Sequence, residues 1–180
     1  FHLIYELNLT KLPFDINLNK GYPRIVYVRR GSVNMPIWGL VEISDIQYIE
    51  KFPNLESVYL KICFPQKDIP KWMVNLSKLG ILNLNKRFSI DLKPLAKLHN
   101  LKIINLSGSH IQDIKPLEVL DKLESLMIGY TYVYNIKPIS KLNNLKTLDI
   151  SSTEVSNFEP IGELTNLQKL FLSNTKVSNL

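Results

Sequence analysis

The chain has 180 residues, and 45% of them are hydrophobic, which is enough to fill the core of one domain. Its net charge of +6, from 22 basic and 16 acidic residues, is more typical of a solvated lysine-rich surface than of a nucleic-acid-binding one. No apolar stretch approaches the roughly 20 residues of a membrane span. The single cysteine, Cys63, excludes an internal disulfide.

Residues 1–54 carry no regular repeat. Residues 24–28 and 38–43 are rich in β-branched and aromatic side chains, and they predict two strands. Residues 46–55 look like the back half of a repeat, but counting back from them places Pro36 where a buried strand residue belongs. We therefore interpret residues 1–54 as a divergent N-terminal cap or as degenerate repeats.

Residues 55–180 are built from repeats of 22–24 residues. The unit at residues 55–78 fits loosely, and regular units then begin at Leu79, Leu101, Leu123 and Leu145. Each regular unit opens with Leu-x-x-Leu-x-Leu, with isoleucine in place of leucine at some positions, and the later ones continue through Ile/Phe-x-Pro-Leu/Ile-x-x-Leu. The chain stops at position fourteen of its last unit, so the sequence predicts a repeat truncated at Leu180 and a parent protein that continues.

Two sets of apolar positions recur within each unit. Positions one, four and six alternate with polar residues, which is typical of a short strand with one buried face. Positions eleven, fourteen, seventeen and twenty are apolar too, so each unit has a second side to bury and must stack against its neighbours. The proline at position sixteen predicts a tight turn or 3₁₀ segment, at Pro116, Pro138 and Pro160.

Position nine carries a small polar residue in four units: Ser109, Thr131, Thr153 and Thr175. We expect it to point inward and to bond backbone groups left unpaired where the strand bends into the loop. Cys63 falls at the same position of its unit, which favours a structural cysteine over a reactive thiol. Arg87 is the exception at position nine and predicts a locally distorted turn.

The pattern is that of a leucine-rich repeat, and the tail at residues 111–123, Ile-x-Asp-Ile-x-Pro-Leu-x-x-Leu-x-x-Leu, resembles the 22-residue repeats of bacterial internalins. The resemblance covers residues 79–180 well and residues 55–78 loosely. It implies an α/β solenoid, a right-handed superhelix with a curved parallel β-sheet on its concave face and loops or short 3₁₀ segments on its convex face. It also implies a secreted or surface-attached bacterial module that binds a protein, with a host protein as one candidate; a cytoplasmic location stays open.

The residues that carry chemistry are scattered. His2, His99 and His110 lie in different parts of the chain, and Cys63 is two repeats away from His110. There is no glycine-rich phosphate loop and no spacing of histidine, cysteine and carboxylate that suits a metal. We therefore predict a non-catalytic protein with no metal site and no cofactor.

The surface most suited to a partner is the concave face, formed by positions three, five and seven, with positions eight and ten on its rim. Aromatic and methionine side chains gathered there resemble an interface hot spot, although aromatic residues also suit strands for purely structural reasons. The candidate contact residues are Tyr59, Ile81, Ile103, Asn105, Met127, Tyr130, Tyr132, Asp149 and Phe171.

Two alternatives come from other classes of function. The repeats are compatible with a structural or adhesive spacer in a longer bacterial surface protein. The lysine column at position fifteen, Lys93, Lys115 and Lys137, would suit an anion-binding edge. It lacks arginine forks and interleaved aromatic residues, so we favour a solvated edge and a protein partner over nucleic acid.

Overall fold

The computed structural model of the chain describes residues 24–30, 33–39, 57–60, 69, 71–84 and 89–176. Strands in this part are β1 Arg24–Arg30, β2 Val33–Gly39, β3 Ser57–Leu60, β4 Ile81–Asn83, β5 Ile103–Asn105, β6 Ser125–Met127, β7 Thr147–Asp149 and β8 Lys169–Phe171. They form one sheet in the order β2-β1-β3-β4-β5-β6-β7-β8.

Strands β3 to β8 pair in parallel, each with the next along the chain. From β4 onward the paired residues lie 22 positions apart, since Leu82 faces Ile104, Ile104 faces Leu126 and Leu126 faces Leu148. Parallel neighbours need a crossover between them, and here each repeat provides the same one. The 22-residue period of the sequence therefore matches the strand register of the sheet from β4 onward.

The N-terminal strands pair differently. Strand β1 lies antiparallel to both β2 and β3. The predicted strand at residues 24–28 is present and extends to Arg30, whereas β2 occupies Val33–Gly39 and shares only residues 38 and 39 with the range predicted from the sequence. The rest of that predicted range, residues 40–43, lies outside the described residues. Strand β2 is the outermost strand of the described sheet, and such a strand accepts Pro36, which has no N–H to donate.

The opposite side of the units is made of short helical turns. The 3₁₀ helices are η1 Lys71–Asn75, η2 Lys93–Lys97, η3 Lys115–Val119 and η4 Lys137–Lys141, and a four-residue α-helix, α1, spans Glu159–Gly162. The 3₁₀ segments predicted at Pro116 and Pro138 are confirmed. Pro160 lies in the first turn of α1, a short α-helix. In an α-helix each N–H bonds to the carbonyl four residues back, whereas in a 3₁₀ helix it bonds to the carbonyl three residues back.

An aspartate or asparagine at position thirteen makes a hydrogen bond at the start of each of the last four helical turns. Its side-chain oxygen accepts the backbone N–H of the residue two positions later, a bond that stabilises the start of a turn. The pairs are Asp91 with Lys93 (3.0 Å), Asp113 with Lys115 (2.8 Å), Asn135 with Lys137 (2.9 Å) and Asn157 with Glu159 (2.9 Å).

The core lies between the sheet and the helical turns and runs without a break from unit to unit. Most positions expected to point inward are buried, as shown by one unit, whereas in the last unit Leu167 and Leu172 are half-buried and Leu170 is 40% exposed. The buried residues of that one unit are Leu101, Ile104, Leu106, Ile111, Ile114, Leu117 and Leu120. Each such aliphatic side chain stabilises the fold by about 1.5–3 kcal/mol. The fold therefore depends on contacts between successive units as much as on contacts within them.

The inward position nine is confirmed for three units. Ser109, Thr131 and Thr153 are buried, and each hydroxyl donates to a backbone carbonyl. The acceptors are Leu84 O (3.3 Å), Ile128 O (2.6 Å) and Ile150 O (2.6 Å). Thr175 is half-buried at the last described unit, and the predictions for Cys63 and Arg87 lie outside the described residues.

Candidate functional site

The open sheet face is the side of the sheet away from the core, formed by positions three and five. In strands β4 to β7 the middle residue is buried and its two neighbours are half-buried on this face. Strand register aligns position five in one column: Tyr59, Asn83, Asn105, Met127, Asp149 and Phe171. Ile81 and Ile103 are paired neighbours in the position-three column, so seven of the nine candidate residues share two adjacent columns.

The two other candidates lie just past the end of β6. Tyr130 and Tyr132 are 70% and 51% exposed, and Tyr134, two residues further, is 63% exposed. Thr131 and Val133 between them are buried, so exposed and buried residues alternate from Tyr130 to Tyr134, and Tyr134 also lines two grooves with Lys137. We call Tyr130, Tyr132 and Tyr134 the tyrosine edge.

Tyr130 has a left-handed backbone, with φ of 57°. The same position eight is left-handed in the neighbouring units, at Gly108 (φ 73°), Ser152 (φ 53°) and Asn174 (φ 55°). The repeat imposes this turn, because the N–H of Tyr130 donates to Ser151 O at 2.8 Å and that of Gly108 to Gly129 O at 2.9 Å. A bulky L-residue is strained there by roughly 1–2 kcal/mol. Sequence reasoning missed the strain, although the glycine, serine and asparagine at position eight were its signal.

A histidine contacts the tyrosine edge. The His110 ring meets the Tyr132 ring edge-on, with centroids 5.3 Å apart and planes at 77°. His110 and Tyr132 occupy position ten of successive units. In the next two units position ten is occupied by Glu154 and Lys176, which form an ion pair. The His110 contact favours one orientation of the Tyr132 ring, because T-shaped aromatic pairs are attractive.

Asp149 is half-buried on the open sheet face. Its Oδ1 accepts the backbone N–H of Ser151 at 2.9 Å, as Asn105 Oδ1 accepts that of Ser107 at 3.0 Å in an earlier unit. A Cβ built on Gly129 would lie 3.2 Å from Asp149 Oδ1 and 3.3 Å from Oδ2. The carboxylate therefore lies over a glycine, where a larger residue would press against it.

The lysine edge is exposed but mixed in charge. Lys93, Lys115 and Lys137 each begin a 3₁₀ helix, and a shallow groove between units is lined by Asp91, Lys93 and Asp113 together. A carboxylate next to the lysines lowers the positive potential that an anion would meet. This edge is therefore less suited to anions than a pure lysine row would be.

Among the residues that the structure describes, no three histidine, cysteine or carboxylate side chains lie close enough together to hold a metal ion. Within those ranges, no helix has both the length and the apolar character needed to cross a membrane.

The stacked parallel sheet, the 22-residue register and the short helical turns opposite define a leucine-rich-repeat solenoid. No family model matches the chain, and no curated protein sequence matches it. Solved structures do. Internalin C2 of Listeria monocytogenes has a TM-score of 0.60 at 24% identity, over 74% of this chain and 57% of that one. Internalin F of Listeria monocytogenes has a TM-score of 0.57 at 19% identity, over 78% and 53%.

A leucine-rich-repeat protein of Leptospira interrogans has a TM-score of 0.64 at 25% identity, over 76% of this chain and 35% of that one. The fold is thus an internalin-like leucine-rich-repeat fold, and its bacterial neighbours fit the bacterial origin that the sequence implies. The chain spans little more than half the length of the internalins it matches.

Proposed function

We propose that the chain is a non-catalytic recognition module that binds a protein on the concave face of its sheet, with the tyrosine edge as the main anchor. The observation that carries this proposal is the exposure of three tyrosines from one repeat, 70%, 51% and 63%. Tyrosine is enriched among the residues that contribute most to protein interfaces.

The scaffold favours binding because little would have to change on contact. The strands of the open sheet face are held in register from unit to unit, and the side chains beneath them are buried. Tyrosine itself loses few rotamers, and the edge contact from His110 already orients Tyr132. A preorganised surface loses less conformational entropy on association.

The strain at Tyr130 supports the same proposal. Three other units place Gly108, Ser152 or Asn174 at this left-handed position, and these residue types tolerate it better. The exposed Tyr130 ring cannot offset the strain by packing inside this chain. Residues held in unfavourable conformations cluster at functional sites.

The other residues of the proposed contact set lie on the open sheet face. Ile81 and Ile103 are paired and offer apolar surface, and Asn105, Met127, Asp149 and Phe171 follow one another in the position-five column. Tyr59 begins that column on β3. A partner that covered this set would bridge six strands.

Affinity capture from bacterial and host-cell extracts tests the proposal. The bait is compared with a Met127→Ala/Tyr130→Ala/Tyr132→Ala variant and with a matched Lys93→Ala/Lys115→Ala/Lys137→Ala variant, after circular dichroism confirms that all three fold. We expect a protein retained by the wild type and the lysine variant and lost from the tyrosine variant. Host extracts are included because the internalin-like fold makes a host protein one candidate partner.

The same experiment separates the alternatives. Loss from the lysine variant alone, with retention falling steeply as salt rises, would favour an anion-binding edge. No specific retention by any bait would favour a spacer.

A further inference from the structure

The open sheet face holds one carboxylate between two apolar side chains. Asp149 lies in the position-five column with Met127 beside it on β6 and Phe171 beside it on β8. Parallel strands are about 4.8 Å apart, so side chains adjacent in such a column lie within contact range. Asp149 is half-buried between them, while Phe171 is 50% exposed.

On the side of β6 the Asp149 carboxylate packs over the buried Gly129. Position seven is serine in three described units, Ser107, Ser151 and Ser173, and glycine at Gly129. Both oxygens of Asp149 lie within 3.3 Å of the place where a Gly129 side chain would begin. The next residue, Tyr130, is 70% exposed.

The charge of Asp149 is not neutralised within the described part of the chain. No described lysine or arginine reaches salt-bridge distance of it, including Lys169 on the neighbouring strand. Oδ1 accepts one hydrogen bond, from the N–H of Ser151. Oδ2 accepts none from the described residues, so the carboxylate retains acceptor capacity toward the open face.

We propose that Asp149, together with Met127 and Phe171 beside it and the exposed Tyr130, binds an arginine side chain of the protein partner. A guanidinium can donate two parallel hydrogen bonds to one carboxylate. Its planar face also stacks on aromatic rings, which the compact and strongly hydrated ammonium of lysine does less well. This inference rests on the proposed function, because it assigns a partner group to one part of the same face.

The overall charge of the chain narrows the partner further. A net charge of +6 repels a strongly basic protein at long range. The arginine should therefore be an isolated residue on a neutral or acidic partner surface. Such an arginine would be attracted locally by Asp149 without requiring an attractive field from the whole chain.

Nuclear magnetic resonance titration with small probes tests this site without the partner. The ¹⁵N-labelled chain is titrated with N-acetyl-arginine amide, and the backbone amides of Gly129 and Ser151 are followed. N-acetyl-citrulline amide has nearly the same shape without the charge, and N-acetyl-lysine amide has the charge without the planar fork. Asp149→Asn is the matched variant, because Asn105 already makes the equivalent bond to Ser107.

We expect saturable shifts with a dissociation constant on the order of 1–10 mM for the arginine probe, as befits a fragment. Binding should weaken at least about tenfold for citrulline and for Asp149→Asn, and severalfold for lysine. Absence of saturable shifts, an unchanged response in Asp149→Asn, or equal binding of citrulline or lysine would overturn the arginine site. None of these results would alter the capture experiment with the tyrosine variant, which decides the proposed function separately.

Discussion

Tyr130 is the residue at which the demands of the fold and of the proposed function oppose each other. Its repeat requires a left-handed backbone, which Gly108 adopts without strain and Asn174 adopts more readily than a bulky residue. The ring nevertheless stands 70% exposed, so it makes little packing contact that would offset the strain. Removing the ring should therefore separate stability from binding.

Tyr130→Asn should raise the free energy of unfolding by about 0.5–1 kcal/mol, because asparagine tolerates the left-handed conformation better. Denaturant unfolding of the two proteins, compared at equal slope, measures the difference. A clear loss of stability would show that the Tyr130 ring packs against the chain more than its exposure indicates.

Gly108→Ala is the control at the equivalent position. Alanine gains a Cβ that the φ of 73° disfavours, so stability should fall by about 1 kcal/mol. If Tyr130→Asn raises the free energy of unfolding and Gly108→Ala lowers it, the backbone conformation of position eight is the common cause of both changes.

At the scale of one strand, inside and outside are separated by a single residue. Leu148 is fully buried in the middle of β7, and Asp149 next to it is half-buried on the open sheet face. Because side chains alternate along a strand, a shift of one residue would exchange the two.

Leu148→Asn should lower the free energy of unfolding by about 3 kcal/mol or more, since it removes packing and buries an amide without partners. Asp149→Asn should change it by less than about 0.5 kcal/mol, because the bond to the N–H of Ser151 is kept. Thermal and denaturant unfolding of both variants provide the comparison. Similar losses of stability in the two variants would contradict the assignment of Leu148 to the inner side and Asp149 to the outer side of β7.

Electrostatic contacts also link neighbouring units on the surface. At position two, Glu124 lies between Lys146, which donates to it at 2.7 Å, and Lys102, 3.8 Å away. The hydrogen bond and charge of Lys146, and then the charge of Lys102, lower the pKa of Glu124 below its ordinary 4.5. A carboxyl whose pKa is lowered by folding stabilises the fold above its unfolded pKa, and this contribution disappears as the pH falls through the folded pKa.

Glu124→Gln should therefore lower the melting temperature slightly at neutral pH and have no such effect in acid, where Glu124 is protonated. The effect should be small and should shrink with salt, because the ion pairs are exposed. Carboxyl resonance titration is the direct measurement, and Lys146→Met should raise the pKa of Glu124 toward 4.5. An unchanged pKa in that variant would contradict the contact with Lys146.

The elements that the sequence predicted best are those with aliphatic periodicity. The inward position four, occupied by Ile104, Leu126 and Leu148 in successive units, recurs with so fixed a spacing that only one sheet register buries all three. The start of β2 at Val33 was missed, since β2 pairs antiparallel with β1 and lies outside the regular repeat from which the register was read. The left-handed turn at Tyr130 was missed because a tyrosine carries no local signal for it.

At the scale of the whole molecule, the sequence predicted the candidate surface as two columns but not its fine structure. Register alone brings Ile81 beside Ile103 and Asp149 beside Phe171. The close approach of Asp149 to Gly129 and the contact of His110 with Tyr132 depend on distances between units, which a single sequence does not contain. The identity of the partner depends on the surface of a second molecule, so the sequence of this chain alone does not predict it.

The N-terminal region keeps two interpretations from the sequence. Strand β1 lies antiparallel to β2 and to β3, unlike the parallel strands of the repeats. The assignment of all of residues 1–54 to a cap stays a prediction, because most of them lie outside the described residues.

The most direct test of the recognition proposal is quantitative capture of the retained partner by Tyr130→Asn, with Lys137→Ala as the matched surface control. We predict that Tyr130→Asn binds at least about tenfold more weakly than the wild type, a loss of about 1.4 kcal/mol, although it unfolds no more easily. Lys137→Ala should bind as the wild type does. Wild-type affinity in the Tyr130→Asn variant would contradict the claim that the tyrosine edge anchors the partner.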